Sequence, residues 1–430
     1  MLSYRKNGRR RDMNEIDGRD ALGFVSRFDY IREAGTEGEE RAAREIVSAL
    51  EDLGEKPAVE TFPIEAHTIE RAVFRMTAPF EKEYRIAGYL RGGSTDGAGI
   101  DAPFYYAENG DDLSLRGAAG KIVLVNGPVR RPLYEKLTAA GAKAFLSVIG
   151  TPVDTGIDRI PSNAKLFPGA DAPIPGGVIH IADAAEIVEA IGAAGGCLND
   201  APARAHLELT ERRSEAVSRN VICRIEGSGL ALKRETLALT AHFDSVPEGK
   251  GAYDNIAACG ILYSLIGYFR AHRPKRSLEF VFFGAEEKGL CGSREYCRRH
   301  ADALENCRFA MNIDLAGQTV GGNVFGVTAD ARVDEVLLGY TSGTGIGVTV
   351  RNAVWSSDSN SFAATGIPAM TLNRDGFGMH TRHDTLGLIS AWSLERSARL
   401  LCAVAQGLAD AEPFPFERRV PDEYLAQLRH

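Results

Sequence analysis

No apolar run in the 430-residue chain approaches the roughly 20 residues that a bilayer-spanning helix needs. The longest, such as residues 280–285, are the length of a strand, so a membrane is not expected as a partner. An excess of basic charge is also missing. Fifty Lys and Arg stand against 58 Asp and Glu, a net charge of −8. That leaves no basic face to hold a phosphate backbone, and nucleic acid is not expected to bind. The seven cysteines form no CxxC pair and are odd in number, which argues against structural zinc and against a secreted disulfide framework. They are expected to be reduced, mostly buried thiols. Residues 1–11 are arginine-rich, but no apolar segment of 7–15 residues follows them as a secretory signal requires, so a cytoplasmic protein is expected.

What is present is enough for a large core. With 44% hydrophobic and 25% charged residues and no biased tract, the composition is globular. The length is two to three times that of a typical domain of roughly 150 residues, so a second folding unit or a large insertion is expected.

Between residues 20 and 53, apolar residues recur at three and four positions, which predicts two helices around a turn at Gly35 with Gly54 as a stop. Residues 57–62 alternate as a strand does, and a comparable run, residues 220–226, resumes only some 150 residues later. The intervening stretch has its own strands and helices: apolar runs at 121–125, 144–149 and 177–181, a helical pattern at 134–140, and another at 184–191 with Asp183 as its expected N-cap. After Asn220, apolar runs at 237–241, 277–283, 309–313 and 368–372 alternate with helical patterns at 256–269 and 391–408. Strands that are continuously apolar predict a sheet covered by helices on both faces. In such sheets ligands bind beyond the strand carboxyl ends.

Polar residues collect at those ends. His242 follows one strand, Glu286 and Glu287 another and Asp314 a third; Asp254 and His380 lie in loops. Nitrogen and oxygen donors without cysteine suit zinc, with manganese or cobalt as less specific occupants. Two histidines and three carboxylates exceed what one tetrahedral catalytic zinc takes, but they suffice for two metals if one carboxylate bridges. Such a pair activates a shared hydroxide and clamps the substrate oxygen, which points to hydrolysis. Of the adjacent Glu286 and Glu287, one is expected to bind metal and the other to move protons, because neighbouring residues leaving a strand point in different directions. Asp244, two residues beyond His242, is placed to accept the other imidazole N–H.

The motifs HFDS, YDN, EEKGLCGS, NIDLAG and HTRHDT, in this order, resemble the co-catalytic zinc aminopeptidase family of metallopeptidase clan MH. That family includes bacterial leucyl aminopeptidases and, among relatives with an inserted domain, glutamate carboxypeptidase and transferrin receptor. Within the insertion, GKIVLVNG, KLTAAGAKAFLSV and PGGVIHI resemble the protease-associated domain. The resemblance implies a three-layer, mostly parallel α/β sheet flanked by helices. A catalytic domain would be formed by residues 20–65 and 214–430, a smaller β-rich protease-associated-like domain by 66–213, and a disordered or extended tail by 1–19. It further implies two zinc ions, with Asp254 bridging, His242 and Asp314 on one metal, and Glu287 and His380 on the other. Glu286 would be the general base and Asp244 the partner of His242. The match of HTRHDT to the family's HTxxDT selects His380 over His383 and places Asp384 close behind the ligands.

Two departures accompany the likeness. Many relatives carry an SDH stretch before the last strand, where this chain has Trp355–Ser356–Ser357–Asp358–Ser359–Asn360, which leaves the grip on the substrate open. Arg374 has no family role; a substrate carboxylate and a surface ion pair are both open to it. The expected activity is removal of the N-terminal residue from a peptide substrate with a free terminus, with pairing of subunits as a further expectation. A carboxypeptidase, dipeptidase or amide hydrolase on the same metals is the alternative. A single-zinc glutaminyl-cyclase-like enzyme and a non-enzymatic scaffold rank lower.

Overall fold

A computed structural model of the chain describes residues 15–165, 174–194 and 203–429. Two compact units appear: Glu65–Glu215, and the residues up to Ile64 together with those from Ala216 onward. The strands Ala58–Ala78 and Arg204–Ile225 carry the chain from one unit to the other. Both are far longer than the short alternating runs that mark them in the sequence. Of the tail expected over residues 1–19, the part up to residue 14 lies outside the described residues. The last part is not tail: the helix Gly18–Val25 starts there, with Asp17 accepting from Arg19 N as its cap.

The first unit is built on a mixed, mostly parallel sheet. From one edge its strands run Val348–Asn352, Asn323–Thr328, Ala369–Arg374, Cys307–Ile313, Thr236–His242, Ser277–Phe283 and the end of Arg204–Ile225. The four central strands are mutually parallel, with His242 opposite Phe283 and Ile313 opposite Leu372. Their carboxyl ends therefore open on the same side of the sheet.

Every residue of Thr236–His242 is buried, as a strand covered on both faces requires. Alternate side chains go to different layers. Leu237, Leu239, Phe280, Phe282 and Met311 pack with residues of the helices Ala257–Ala271 and Ala391–Asp410. Ala238, Val281, Phe283 and Ala310 face the side that holds Tyr296 and Phe362. The expected three-layer order is what the first unit has. The strands Asn323–Thr328 and Val348–Asn352 and the helix Arg332–Thr341 were not evident from the sequence.

The second unit has its own sheet. Strands Ile100–Tyr106, Ile122–Asn126, Ala144–Ile149 and Gly176–His180 run parallel in that order, with Ile86–Leu90 antiparallel to the last. Helices Arg131–Ala139 and Ile181–Ala193 accompany them. The second helix starts earlier than expected. Its cap is His180, whose imidazole accepts from Ala182 N, while Asp183 lies inside the first turn. No helix among the described residues is long and apolar enough to cross a membrane. The six cysteines among the described residues are free, and all but the half-buried Cys291 are buried.

One buried carboxyl in the first unit gives a testable pH dependence. Glu39, in the helix Glu37–Asp52, is fully buried and accepts from Gly35 N (2.7 Å) and from the Ser218 hydroxyl. Burial raises it to about 7, against the lowering effect of those hydrogen bonds. A carboxyl raised on folding stabilises the fold below its unfolded value, and that contribution is lost as pH rises through the folded value. Glu39→Gln keeps an acceptor for Gly35 N and presents an amide N–H to Ser218, whose hydroxyl can rotate to accept it. It is expected to leave stability nearly unchanged at pH 4 and to raise it at pH 8.5, by up to about 3 kcal/mol. Urea unfolding of the chelator-treated protein at the two pH values measures the difference, and an equal effect at both would count against a protonated Glu39.

Candidate metal centre

The parallel strands deliver the ligands. His242 is the last residue of its strand, Asp314 directly follows Cys307–Ile313, and Glu286 and Glu287 follow Ser277–Phe283 after a two-residue turn. Two non-glycine residues with left-handed backbone lie at these exits, Ala285 (φ 54°) and Leu315 (φ 68°), and His380 itself (φ 59°), in the loop after Ala369–Arg374, is another. Such conformations persist where the surroundings over-determine them, and they gather at functional sites. Gly284 must remain small, since a Cβ there would lie 2.5 Å from the Arg219 carbonyl oxygen.

All five sequence-predicted ligands come together in two groups that share Asp254: His242 with Asp254 and Asp314, and Glu287 with Asp254 and His380. The two oxygens of Asp254 face different groups. Oδ1 is 3.2 Å from His242 Nε2, and Oδ2 is 3.0 Å from His380 Nε2. His242 Nε2 is also 3.6 Å from Asp314 Oδ1, and His380 Nε2 is 3.0 Å from Glu287 Oε1. His383 is in neither group.

The electrostatics are those of a site with surplus negative charge. Burial works against a charged His380, but Asp254 and Glu287 outweigh it and raise the imidazole to about 11. His242 behaves alike: burial opposes its charge, and Glu286, Asp244, Asp254 and Asp314 together raise it. Asp254, despite its burial, is held below the usual carboxylate range by the two imidazoles. Glu286 is pushed up by burial and by Glu287, Asp314 and Asp358, with His242 opposing. Imidazole and carboxylate donors converging on two points, with carboxylates in excess, fit divalent cations.

Outer contacts fix the donors. Asp244 Oδ1 is 3.4 Å from His242 Nδ1 and accepts from Glu286 N (3.0 Å), while Oδ2 accepts from Glu287 N (3.1 Å). Asp244 therefore holds the turn that carries both glutamates and places a carboxylate beside the His242 imidazole. Ser357 donates to Asp314 Oδ2 (2.5 Å) and accepts from Asn312 Nδ2 (2.6 Å), which bonds in turn with Thr240. Asp384 accepts from Tyr253 N (2.6 Å) and Asp254 N (2.9 Å), and so holds the backbone of the shared carboxylate. Asp384→Ala should fold and keep all five ligands, yet bind metal roughly 10–100-fold more weakly, the usual cost of losing such a support. Competition against a chromophoric chelator measures this, and unchanged affinity would show that the loop needs no such anchor.

Two residues differ from what the sequence suggests. Arg32 is fully buried and donates to the carbonyls of Phe28, Tyr30, Phe243, Lys250 and Gly251, clamping the loop between His242 and Asp254. No sequence motif marks it; a lone arginine in the connection between two helices has no visible signal. Arg374 is neither a surface ion pair nor open to a substrate carboxylate. It is 3% exposed and donates to the carbonyls of Gln318 and Thr319 and to Asn323 Oδ1.

Residues 220–405, which contain all five ligand positions as well as Asp244 and Glu286, match the model of peptidase family M28. The chain is 27% identical over 335 residues to Carboxypeptidase Q of Bos taurus, covering 73% of this chain and 68% of that protein. It is 26% identical over 296 residues to a probable lipoprotein aminopeptidase, LpqL, of Mycobacterium tuberculosis, covering 67% of this chain and 55% of that protein. In fold it is similar to a zinc aminopeptidase from Bacillus subtilis, with a TM-score of 0.76 at 21% identity over 94% of this chain and 99% of that one. An aminopeptidase from Aneurinibacillus sp. gives 0.73 at 20% identity over 95% and 97%. With its candidate ligands at the strand ends of this fold and within the matched segment, the chain is similar to peptidase family M28 over residues 220–405 and is a metallopeptidase.

Proposed function

We propose that the protein is a two-zinc aminopeptidase that removes the N-terminal residue of a peptide. The observation that carries the reading is Asp254, whose two oxygens face two separate donor groups. His242 and Asp314 would hold one zinc, Glu287 and His380 the other, and Asp254 both. Bound there, the metals would supply Lewis acidity toward the scissile carbonyl and toward water. Glu286 belongs to neither donor group, yet its backbone is tied to Asp244 beside Glu287. Its carboxylate accepts the proton of the attacking water as the new C–O bond forms, and returns it to the departing nitrogen as the C–N bond breaks. Asp244 keeps His242 in orientation throughout.

The amino-terminal preference rests on charge. Cations around the centre are already committed: Lys288 pairs with Glu33 (2.5 Å), Lys250 with Asp29 (2.9 Å), and Arg32 and Arg374 bond to carbonyls. A free ammonium meets a carboxylate-rich surround, while a free carboxylate finds no uncommitted cation among these four. The names of the relatives point to both ends of a peptide, so the test is direct. Metal content is measured alongside hydrolysis of free, N-acetylated and C-terminally amidated peptides. Two zinc per chain with cleavage that requires the free amine is the expected result. Cleavage that ignores the amine but requires the free carboxylate would establish a carboxypeptidase instead.

A further inference from the structure

Of the two carboxylates between His242 and Asp254 that belong to neither donor group, Asp244 holds the glutamate turn and Glu248 has no role yet. Glu248 is half-buried, and no ion pair or side-chain donor reaches it among the described residues. Its backbone is closely defined. Ser245 Oγ lies 3.2 Å from Gly249 O, and Arg32 donates to Lys250 O (2.5 Å) and Gly251 O (2.8 Å). A Cβ on Gly249 would meet the carbonyl oxygen of Thr381, the residue after His380, at 2.4 Å. Glu248 is thus presented on a fixed turn packed against the loop that carries a ligand.

The protein offers the Glu248 carboxyl no uncommitted cation among the described residues. Burial raises its carboxyl, Glu33 and Glu287 add to the effect, and Lys288 opposes it; yet Lys288 is already paired with Glu33. A fixed, partly desolvated carboxylate of this kind at the edge of a metal centre is poised for a positively charged ligand.

We infer that Glu248 receives the α-ammonium of the substrate's N-terminal residue and so sets which end of the peptide enters. This rests on the aminopeptidase reading and adds a specificity-determining residue to it. A uniform contribution to binding, without a part in bond breaking, changes KM rather than kcat.

The test compares L-leucinol with 4-methylpentan-1-ol, its analogue without the amine, by calorimetry on the metal-loaded protein and on its E248Q and E248D variants. Metal content and melting temperature serve as checks on folding. The wild type is expected to prefer L-leucinol by at least about tenfold. E248Q should lose most of that preference with the affinity for the alcohol unchanged, and E248D should retain part of it. With a free-amine peptide, E248Q should raise KM at least about tenfold and change kcat less than about threefold. A wild type indifferent to the amine would overturn both the inference and the aminopeptidase reading. A wild type that prefers the amine, together with an E248Q variant that keeps the preference, would overturn the inference alone. If E248Q weakened L-lysinol but not L-leucinol, the carboxylate would serve a basic side chain and the α-ammonium assignment would fall.

Discussion

Replacing Glu286 by Gln is expected to lower kcat by roughly 10²–10⁴-fold while leaving the metal content unchanged. The substitution preserves volume and keeps a carbonyl oxygen, so packing is little disturbed. It removes only the ability to take up a proton. Metal should stay because Glu286 belongs to neither donor group, whereas the neighbouring Glu287 lies 3.0 Å from His380 Nε2 and shares a group with Asp254. The Asp244 bonds to the backbone nitrogens of both residues do not depend on the side chain at 286, so the turn itself should persist. Metal analysis and steady-state kinetics on the same preparation decide the matter. A variant with more than about a tenth of wild-type turnover would move the proton transfer to another group. One that lost a metal would make Glu286 a ligand.

The contrast between those two glutamates shows how far the sequence could be read. His242, Asp254, Glu287, Asp314 and His380 were legible because each belongs to a short motif, and three of them follow apolar strands closely; a parallel sheet brings such ends together whatever the rest of the chain does. Their supports were less visible. Asp244 and Asp384 sit inside the ligand motifs and could be anticipated, but Ser357 reaches Asp314 across 43 residues of chain, and Arg32 reaches Gly251 across 219. Nothing local in a sequence signals a bond of that span. Arg374 shows the opposite error: a cation near the ligand loops suggested a substrate carboxylate or a surface ion pair, whereas three oxygens of the chain itself already occupy it.

The same limits apply to the fold. The central strands are continuous apolar runs and could be recognised, but Val348–Asn352 is an edge strand with intermediate and exposed residues only, so its pattern carries no burial signal. The long strands Ala58–Ala78 and Arg204–Ile225 alternate irregularly between exposed and buried positions and include many charged residues. Their charges hid most of their length. At His180 the sequence favoured a nearby Asp as helix cap, and an imidazole took the place.

Asp254→Ala should have the largest effect of any single change, because it removes the one carboxylate common to both donor groups. Two consequences follow from its geometry. The first group would keep His242 and Asp314 alone, and the second Glu287 and His380 alone; two protein donors fall short of the three that a catalytic zinc takes. Both metals should therefore be lost on dialysis, and turnover with them. His242→Ala and Glu287→Ala each strip one group, so each should leave the other with three donors and about one metal per chain. Folding should survive, since Asp384 accepts from the backbone nitrogens of residues 253 and 254 whatever side chain stands at 254. Metal analysis of the three variants after the same dialysis separates a shared carboxylate from an ordinary one. If Asp254→Ala kept one metal as firmly as the single-group variants do, Asp254 would serve one metal only, and the two-zinc reading would lose its bridge.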